Sequence, residues 1–205
     1  MPEFNALLDG YRRFKLGAYQ AQKDRFDALV EGQAPPVMVI SCCDSRVDPA
    51  TVFDTVPGQM FALRNVANLV PPFEGAPGLH GASAAIEFGV LGLKVSHIVV
   101  LGHARCGGIK AALSGAQLEG GGGFVDAWMT IIGEARSRVL VERPADPQAT
   151  LEHEAIKISL KNLRSFPYIA AREAEGSLKL HGALFGIEQG ELEVLDEATG
   201  VFTPS

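Results

Sequence analysis

Apolar residues change their spacing along the chain, and the change separates a helical beginning from a mixed interior. Before residue 35 they recur every three or four positions, which is the period of an amphipathic helix. These positions are Phe4, Leu7, Leu8, Tyr11, Phe14, Phe26, Leu29 and Val30. Pro35 and Pro36 then interrupt the pattern. We therefore predict an N-terminal helical arm over residues 1–34.

Beyond the arm, short apolar runs alternate with helical patterns. The runs at 37–43, 60–66 and 97–103 predict buried strands, and the segments 79–93, 124–141 and 148–166 predict helices. Two alternating segments, 178–187 and 191–195, flank Gln189 and Gly190 and predict a terminal hairpin. We predict one α/β domain over residues 1–205, with a mostly parallel central sheet, an antiparallel edge strand and surrounding helices.

Charge and cysteine content narrow the class of protein. The net charge of −6 leaves no basic surplus to neutralise phosphates, which argues against a nucleic-acid partner. No run of eighteen apolar residues predicts a membrane span, and the first sixteen residues lack the pattern of a signal peptide. Three cysteines cannot form a complete set of disulfides. We therefore expect a cytoplasmic protein without a membrane partner.

Chemistry-bearing side chains follow the first predicted strand. In an extended segment alternate residues share a face, so Cys42, Asp44 and Arg46 would lie together while Cys43 points the other way, into the core. Arg46 can grip the Asp44 carboxylate with two hydrogen bonds. This face would therefore carry a soft metal ligand beside an ionised carboxylate.

A second cluster, His103 and Cys106, follows the third strand. Parallel strands bring their carboxyl ends to one edge of a sheet, so we expect both clusters to meet there. Two thiolates and an imidazole suit zinc, and three protein ligands leave a fourth position for water. Two alternatives are a structural zinc site and a redox role for the adjacent Cys42 and Cys43. Vicinal disulfides are strained, which disfavours the redox role.

Three sequence blocks resemble those of the β-class carbonic anhydrases. They are Cys42-Cys43-Asp44-Ser45-Arg46, Arg64-Asn65-Val66-Ala67-Asn68 and His103-Ala104-Arg105-Cys106-Gly107-Gly108. The resemblance extends over nearly the whole chain, including Glu152-His153-Glu154 and Leu180-His181-Gly182. Gln33 and the run Val70-Pro71-Pro72-Phe73 resemble the plant-type branch of the family.

The resemblance implies an enzyme that reversibly hydrates carbon dioxide to bicarbonate through attack by zinc hydroxide. One Zn²⁺ per chain would be held by Cys42, His103 and Cys106, while Asp44, held by Arg46, accepts a proton. It also implies a homodimer in which the arm wraps the partner, with tetramers or octamers possible. The residues expected to contact substrate are Gln33 (reaching across the dimer interface), Phe61, Val66, Phe88 and Gly107.

Some positions depart from the family pattern. Val39 and Phe185 stand where the bicarbonate-regulated bacterial branch has Trp and Tyr, so we do not expect that regulation. Phe88 and Gly92 replace a Tyr and a His that pass protons to buffer in plant relatives. His80 and His97 are the remaining histidine candidates for that task. Two other functions stay open: hydrolysis of carbon disulfide or carbonyl sulfide on the same scaffold, and a non-catalytic structural zinc site.

Overall fold

The computed structural model describes residues 2–76, 78–116 and 119–205. These form two compact units, a first that runs to Ala34 and a second of Pro35–Ser205. The first unit contains the predicted helices: α1 (Pro2–Leu16), α2 (Ala18–Ala21) and α3 (Lys23–Ala28). Aromatic rings of Phe14, Tyr19 and Phe26 pack together within it. The remaining apolar side chains of α1 stay exposed, with Leu7 71% accessible.

The second unit is built on a six-stranded sheet of order β2-β1-β3-β4-β5-β6. The strands are β1 (Val37–Cys42), β2 (Met60–Asn65), β3 (His97–His103), β4 (Lys179–Gly186), β5 (Glu191–Asp196) and β6 (Val201–Pro204). The first four in this order pair in parallel, whereas β4–β5 and β5–β6 are antiparallel. The predicted parallel sheet with an antiparallel edge is confirmed. The sequence pattern did not predict β6, whose four residues are too few to show a period.

Helices connect and cover the strands. They are α4 (Pro49–Val52), α5 (Gly81–Glu87), α6 (Gly107–Ser114), α7 (Phe124–Met129), α8 (Gly133–Glu142), α9 (Pro147–Leu163) and α10 (Pro167–Ala174). Asp48 and Asp146 cap α4 and α9 by accepting backbone N–H bonds, and each is followed by proline, which suits the first helical position. The helix predicted over 124–141 is divided by a 3₁₀ turn, Thr130–Ile132. The sequence pattern did not predict α10, which begins at Pro167, a short turn after α9.

The main core lies between one face of the sheet and the helices α5, α9 and α10. Met38, Ile40, Ile98 and Val100 face Ile156 and other buried apolar side chains there. A smaller cluster, containing Val39 and Leu101, covers the other face. In the described part of the chain, no helix is long and apolar enough to cross a membrane.

Candidate metal centre

The two predicted clusters come together at the carboxyl edge of the parallel strands. Strand β1 ends at Cys42 and the neighbouring β3 ends at His103, while Cys106 directly precedes α6. The Cys42 and Cys106 sulfurs lie 4.0 Å apart, and a nitrogen of His103 completes a group whose atoms all lie within 4.8 Å of one another. All three side chains are buried. The ends of the two strands and the start of α6 thus place three soft or borderline ligands around one point.

His103 tests whether this group fits a metal ion. Its Nδ1–H donates to the Ala104 carbonyl at 3.0 Å, which directs the lone pair to Nε2. Within the described residues, Nε2 is buried and has no hydrogen-bond partner. An orphaned buried nitrogen is costly unless a ligand satisfies it. Together with two sulfurs, it forms the donor set that zinc prefers. The residues therefore fit a metal ion.

Nearby backbone N–H groups favour the thiolate form of each sulfur. Those of Asp44 and Ala67 act to lower the pKa of Cys42, and those of Ile109 and Gly108 act to lower the pKa of Cys106. Hydrogen bonding from the Cys106 thiol lowers the pKa of Cys42, and the same interaction raises the pKa of Cys106. Both sulfurs can therefore be thiolates at the same time only when a cation lies between them.

Asp44 lies beside the ligands and is held by Arg46. The Arg46 side chain donates to both carboxylate oxygens at 2.9 and 2.7 Å, and the Arg46 backbone N–H donates at 3.0 Å. The Arg46 side chain, aided by that N–H, lowers the pKa of Asp44 well below its usual range. Asp44 Oδ2 is 3.9 Å from His103 Nε2. An ionised acceptor therefore stands at the edge of the metal group.

The loop that carries Asp44 is fixed by Arg64. The Arg64 guanidinium donates to the carbonyls of Cys42 and Asp44 at 3.0 and 2.8 Å, and to the Asp48 carboxylate at 2.8 Å. Each of these bonds uses a donor that the planar guanidinium holds in a fixed direction. The backbone on both sides of Cys43 is therefore anchored from strand β2.

Cys43 does not face the core. The sequence-based prediction was wrong on this point, since its side chain is exposed while Cys42 and Cys106 are buried. Strand β1 ends at Cys42, so Cys43 begins the loop that follows, where the alternation of the two strand faces no longer fixes its direction. Its N–H still donates to the Asn65 carbonyl at 2.8 Å. Cys43 is not part of the three-ligand group.

The residues expected to contact substrate lie in different places. Val66 packs in the apolar cluster that contains both buried cysteines, and Gly107 is exposed at the first position of α6. Phe61 and Phe88 pack against each other with ring centres 5.9 Å apart. Phe61 pairs with Met38, four residues before Cys42, which is about 13 Å along the strand. Gln33 is exposed in the first unit.

The candidate histidines for proton transfer are engaged elsewhere. His80 forms an exposed pair with Glu74 at 3.2 Å. His97 opens β3, six residues or about 20 Å from His103, and its Nδ1 lies 2.9 Å from Nε2 of His181. Phe88 and Gly92 occupy a π-helical turn, Phe88–Gly92, and the Phe88 ring lies against Gly92.

Sequence reasoning included Glu152 in the family resemblance but gave it no role, whereas the structure places it against the backbone of a metal-group residue. This carboxylate is only 4% exposed, and its Oε1 accepts the Cys106 N–H at 2.8 Å. The signal was an acidic residue between Leu151 and Ala155, on the face of α9 that the apolar period predicts to be buried.

Comparison with known proteins agrees with this geometry. A family model described as "Carbonic anhydrase" matches residues 37–192. A carbonic anhydrase of Pseudomonas aeruginosa (strain PAO1) is 37% identical over 200 residues, which cover 96% of this chain and 89% of the relative.

Solved structures give the same result. The β-carbonic anhydrase CcaA has a TM-score of 0.93 at 32% identity, covering 100% of this chain and 93% of that one. One of two tetrameric β-carbonic anhydrases from Sordaria macrospora has a TM-score of 0.81 at 28% identity, covering 99% and 100%. By family model, sequence relatives and fold, the chain belongs to the β-carbonic anhydrases, enzymes that interconvert carbon dioxide and bicarbonate.

Proposed function

We propose that Cys42, His103 and Cys106 hold one zinc ion per chain and that carbon dioxide is hydrated beside it. The observation that carries the proposal is the cluster itself: three buried donor atoms within 4.8 Å, one of them a nitrogen without another partner. When bound, zinc supplies a Lewis acid that makes a water molecule acidic enough to attack carbon dioxide. Three protein ligands leave a position open for it, whereas a purely structural site would use four.

Asp44 accepts a hydrogen bond from the attacking water and so orients it. An ionised carboxylate can only accept a hydrogen bond, so it selects a partner that still carries a proton and aims the remaining lone pair outward. Arg46 keeps the carboxylate in this state and in this direction through its paired bonds to both oxygens. A structural zinc site would need neither residue, which favours catalysis over a non-catalytic role.

A homodimer completes the substrate pocket. Val66 and Gly107 lie beside the chain's own ligands, but Phe61 lies about 13 Å along the strand from Cys42, and Phe88 packs against Phe61. A second chain would supply them, and likewise Gln33, whose amide would donate to bicarbonate. Phe88 is 54% exposed and the apolar face of α1 is uncovered, as expected of surfaces that a partner chain buries. The arm would wrap that partner, and the tetrameric Sordaria relatives make larger assemblies possible.

Inhibition by bicarbonate at a second pocket is not part of this proposal. Val39 and Phe185 meet in one apolar cluster, where the regulated branch has Trp and Tyr. Arg64, which this chain shares with the pocket of the regulated branch, donates here to Asp48 and to two carbonyls. We place the enzyme in the cytoplasm because its buried cysteines are unpaired and suit a reducing compartment.

Purified protein tests the proposal through metal content and carbon dioxide hydration measured by stopped flow. We expect about one zinc per chain, with metal and activity lost together in Cys42→Ser and His103→Ala. Cys43→Ser is the matched control: it removes an adjacent thiol outside the ligand group and keeps both. Equal loss in Cys43→Ser would show that the ligand set is wrong. Zinc without hydration would refute the proposed reaction, and turnover of carbonyl sulfide or carbon disulfide would then identify the alternative.

A further inference from the structure

Glu152 is a buried carboxylate whose location the fold alone does not explain. It projects from α9 into the region between that helix and the start of α6. Across the described residues, no lysine, arginine or histidine forms an ion pair with it. Burying a carboxylate without such a partner costs several kcal/mol. A leucine or methionine would suit the neighbouring core better, so the acidic side chain needs another explanation.

The hydrogen bonds of Glu152 and its neighbour Gln148 converge on the backbone of Cys106. Its Oε1 accepts the Cys106 N–H at 2.8 Å and the Gln148 Nε2–H at 2.9 Å. Gln148 Nε2 also lies 3.3 Å from the Cys106 carbonyl. The two α9 side chains, one helical turn apart, therefore hold both polar groups of the Cys106 backbone.

Cys106 depends on Glu152 chiefly for its N–H, since its carbonyl also accepts the Lys110 N–H at 3.0 Å. It precedes the first turn of α6, where no earlier helical carbonyl is available for its N–H, and it follows Arg105, whose φ is +58°. A small rotation of this peptide would turn the thiolate away from Cys42 and His103. Metal affinity depends on such outer hydrogen bonds, and their loss weakens it by about 10- to 100-fold.

We propose that Glu152 is a positioning residue that fixes the Cys106 backbone through its hydrogen bond and so sets the affinity and geometry of the metal site. The proposal rests on the proposed function, because it takes Cys106 to be a ligand. Glutamine at this position would keep an acceptor oxygen in the same place. If the hydrogen bond is what matters, glutamine at position 152 should preserve metal binding and leucine should not.

The test measures the zinc dissociation constant by competition with a chromophoric chelator. We expect Glu152→Leu to bind zinc about 10- to 100-fold more weakly, and Glu152→Gln to stay within about threefold of the unaltered protein. With Co²⁺ as the probe, the sulfur-to-cobalt absorption band should shift in Glu152→Leu and stay unchanged in Glu152→Gln. Glu154→Gln is the matched control, since this carboxylate on the same helix binds Arg138 and Lys157 instead.

The outcomes separate this proposal from the function on which it rests. Unaltered protein that binds no zinc, or binds it equally well as Cys106→Ser, would refute the ligand set itself. If zinc binds through Cys106 but Glu152→Leu retains full affinity and an unchanged cobalt band, the positioning role is wrong. Equal weakening in Glu152→Gln would refute the hydrogen-bond basis. If Glu154→Gln weakens zinc binding as much as Glu152→Leu does, the positioning role is wrong and the weakening reflects a general loss of stability.

Discussion

Strand β4 packs so closely against helix α9 that one added methyl group should measurably destabilise the protein. A Cβ at Gly182 would lie 2.8 Å from Ile156 Cγ2, 3.1 Å from Leu160 Cδ1 and 3.2 Å from Leu195 Cβ. Ile156 is fully buried, so its Cγ2 cannot swing into solvent. We expect Gly182→Ala to force α9 away from the sheet.

The size of the effect follows from two opposing contributions. Overpacking of a closed core costs about 1–3 kcal/mol, and three close contacts place this site toward the upper end. Replacing glycine by alanine also reduces the conformational freedom of the unfolded chain, which returns about 0.4–1 kcal/mol. We expect a net loss of about 1–2 kcal/mol in the free energy of unfolding. Urea denaturation at fixed protein and metal concentrations measures it.

A second substitution identifies the clashing atom. Ile156→Leu removes Cγ2 while conserving volume, so it should relieve Gly182→Ala, with a favourable coupling of about 1 kcal/mol in a double-mutant cycle. Ile156→Val removes only Cδ1 and should give no relief. For Gly102→Ala we expect the opposite result, because its methyl would lie 2.7 Å from Ile156 Cδ1. Ile156→Val, which removes that atom, should relieve Gly102→Ala. Equal relief by leucine and valine, or strict additivity in both cycles, would refute the reasoning.

Three further predictions concern the site and its surroundings. Arg46→Ala should keep zinc but lower kcat/KM by about 100-fold, because the carboxylate it holds loses its direction, and Arg46→Lys should recover little of the loss. Burial, and then the neighbouring His97, lower the pKa of His181 in the folded state. As the pH falls below about 6.5, the unfolded chain therefore binds a proton at His181 before the folded chain does. The free energy of unfolding should decrease over this range, and it should decrease less in His181→Gln. Because Phe88 and Gly92 cannot carry protons, kcat should rise with the concentration of an imidazole-type buffer at fixed pH.

Clear outcomes would contradict each of these. Loss of zinc in Arg46→Ala would make that residue part of the metal site's structure. If the free energy of unfolding depends on acid pH in the same way in His181→Gln, the pair of His97 and His181 is not the cause of that dependence. A kcat already high and flat at low buffer would require an internal proton carrier, and His80→Ala would then test the exposed histidine.

Much of the fold could be predicted because it depends on local periods. The apolar runs marked β1 to β3 to within a residue. The signal is strongest for β1 and β3, because these central strands are buried on both faces and are therefore mostly apolar. Aspartate followed by proline stands at the start of α4 and α9, and this pair is a local signal for a helix start, although the sequence analysis did not use it. Strand β6 was missed because it is held by pairing with β5 and not by any apolar pattern of its own.

The sequence by itself also determined the chemistry of the metal group and the edge at which it lies. Cys42 and His103 end adjacent parallel strands, and topology alone brings such ends together. The tertiary structure decided everything that depends on contacts between distant segments. It placed Phe61 far along the strand from Cys42, exposed Cys43, and brought Glu152 to the Cys106 backbone 46 residues earlier. No local period encodes such contacts, because they depend on how separate elements pack and where each one ends.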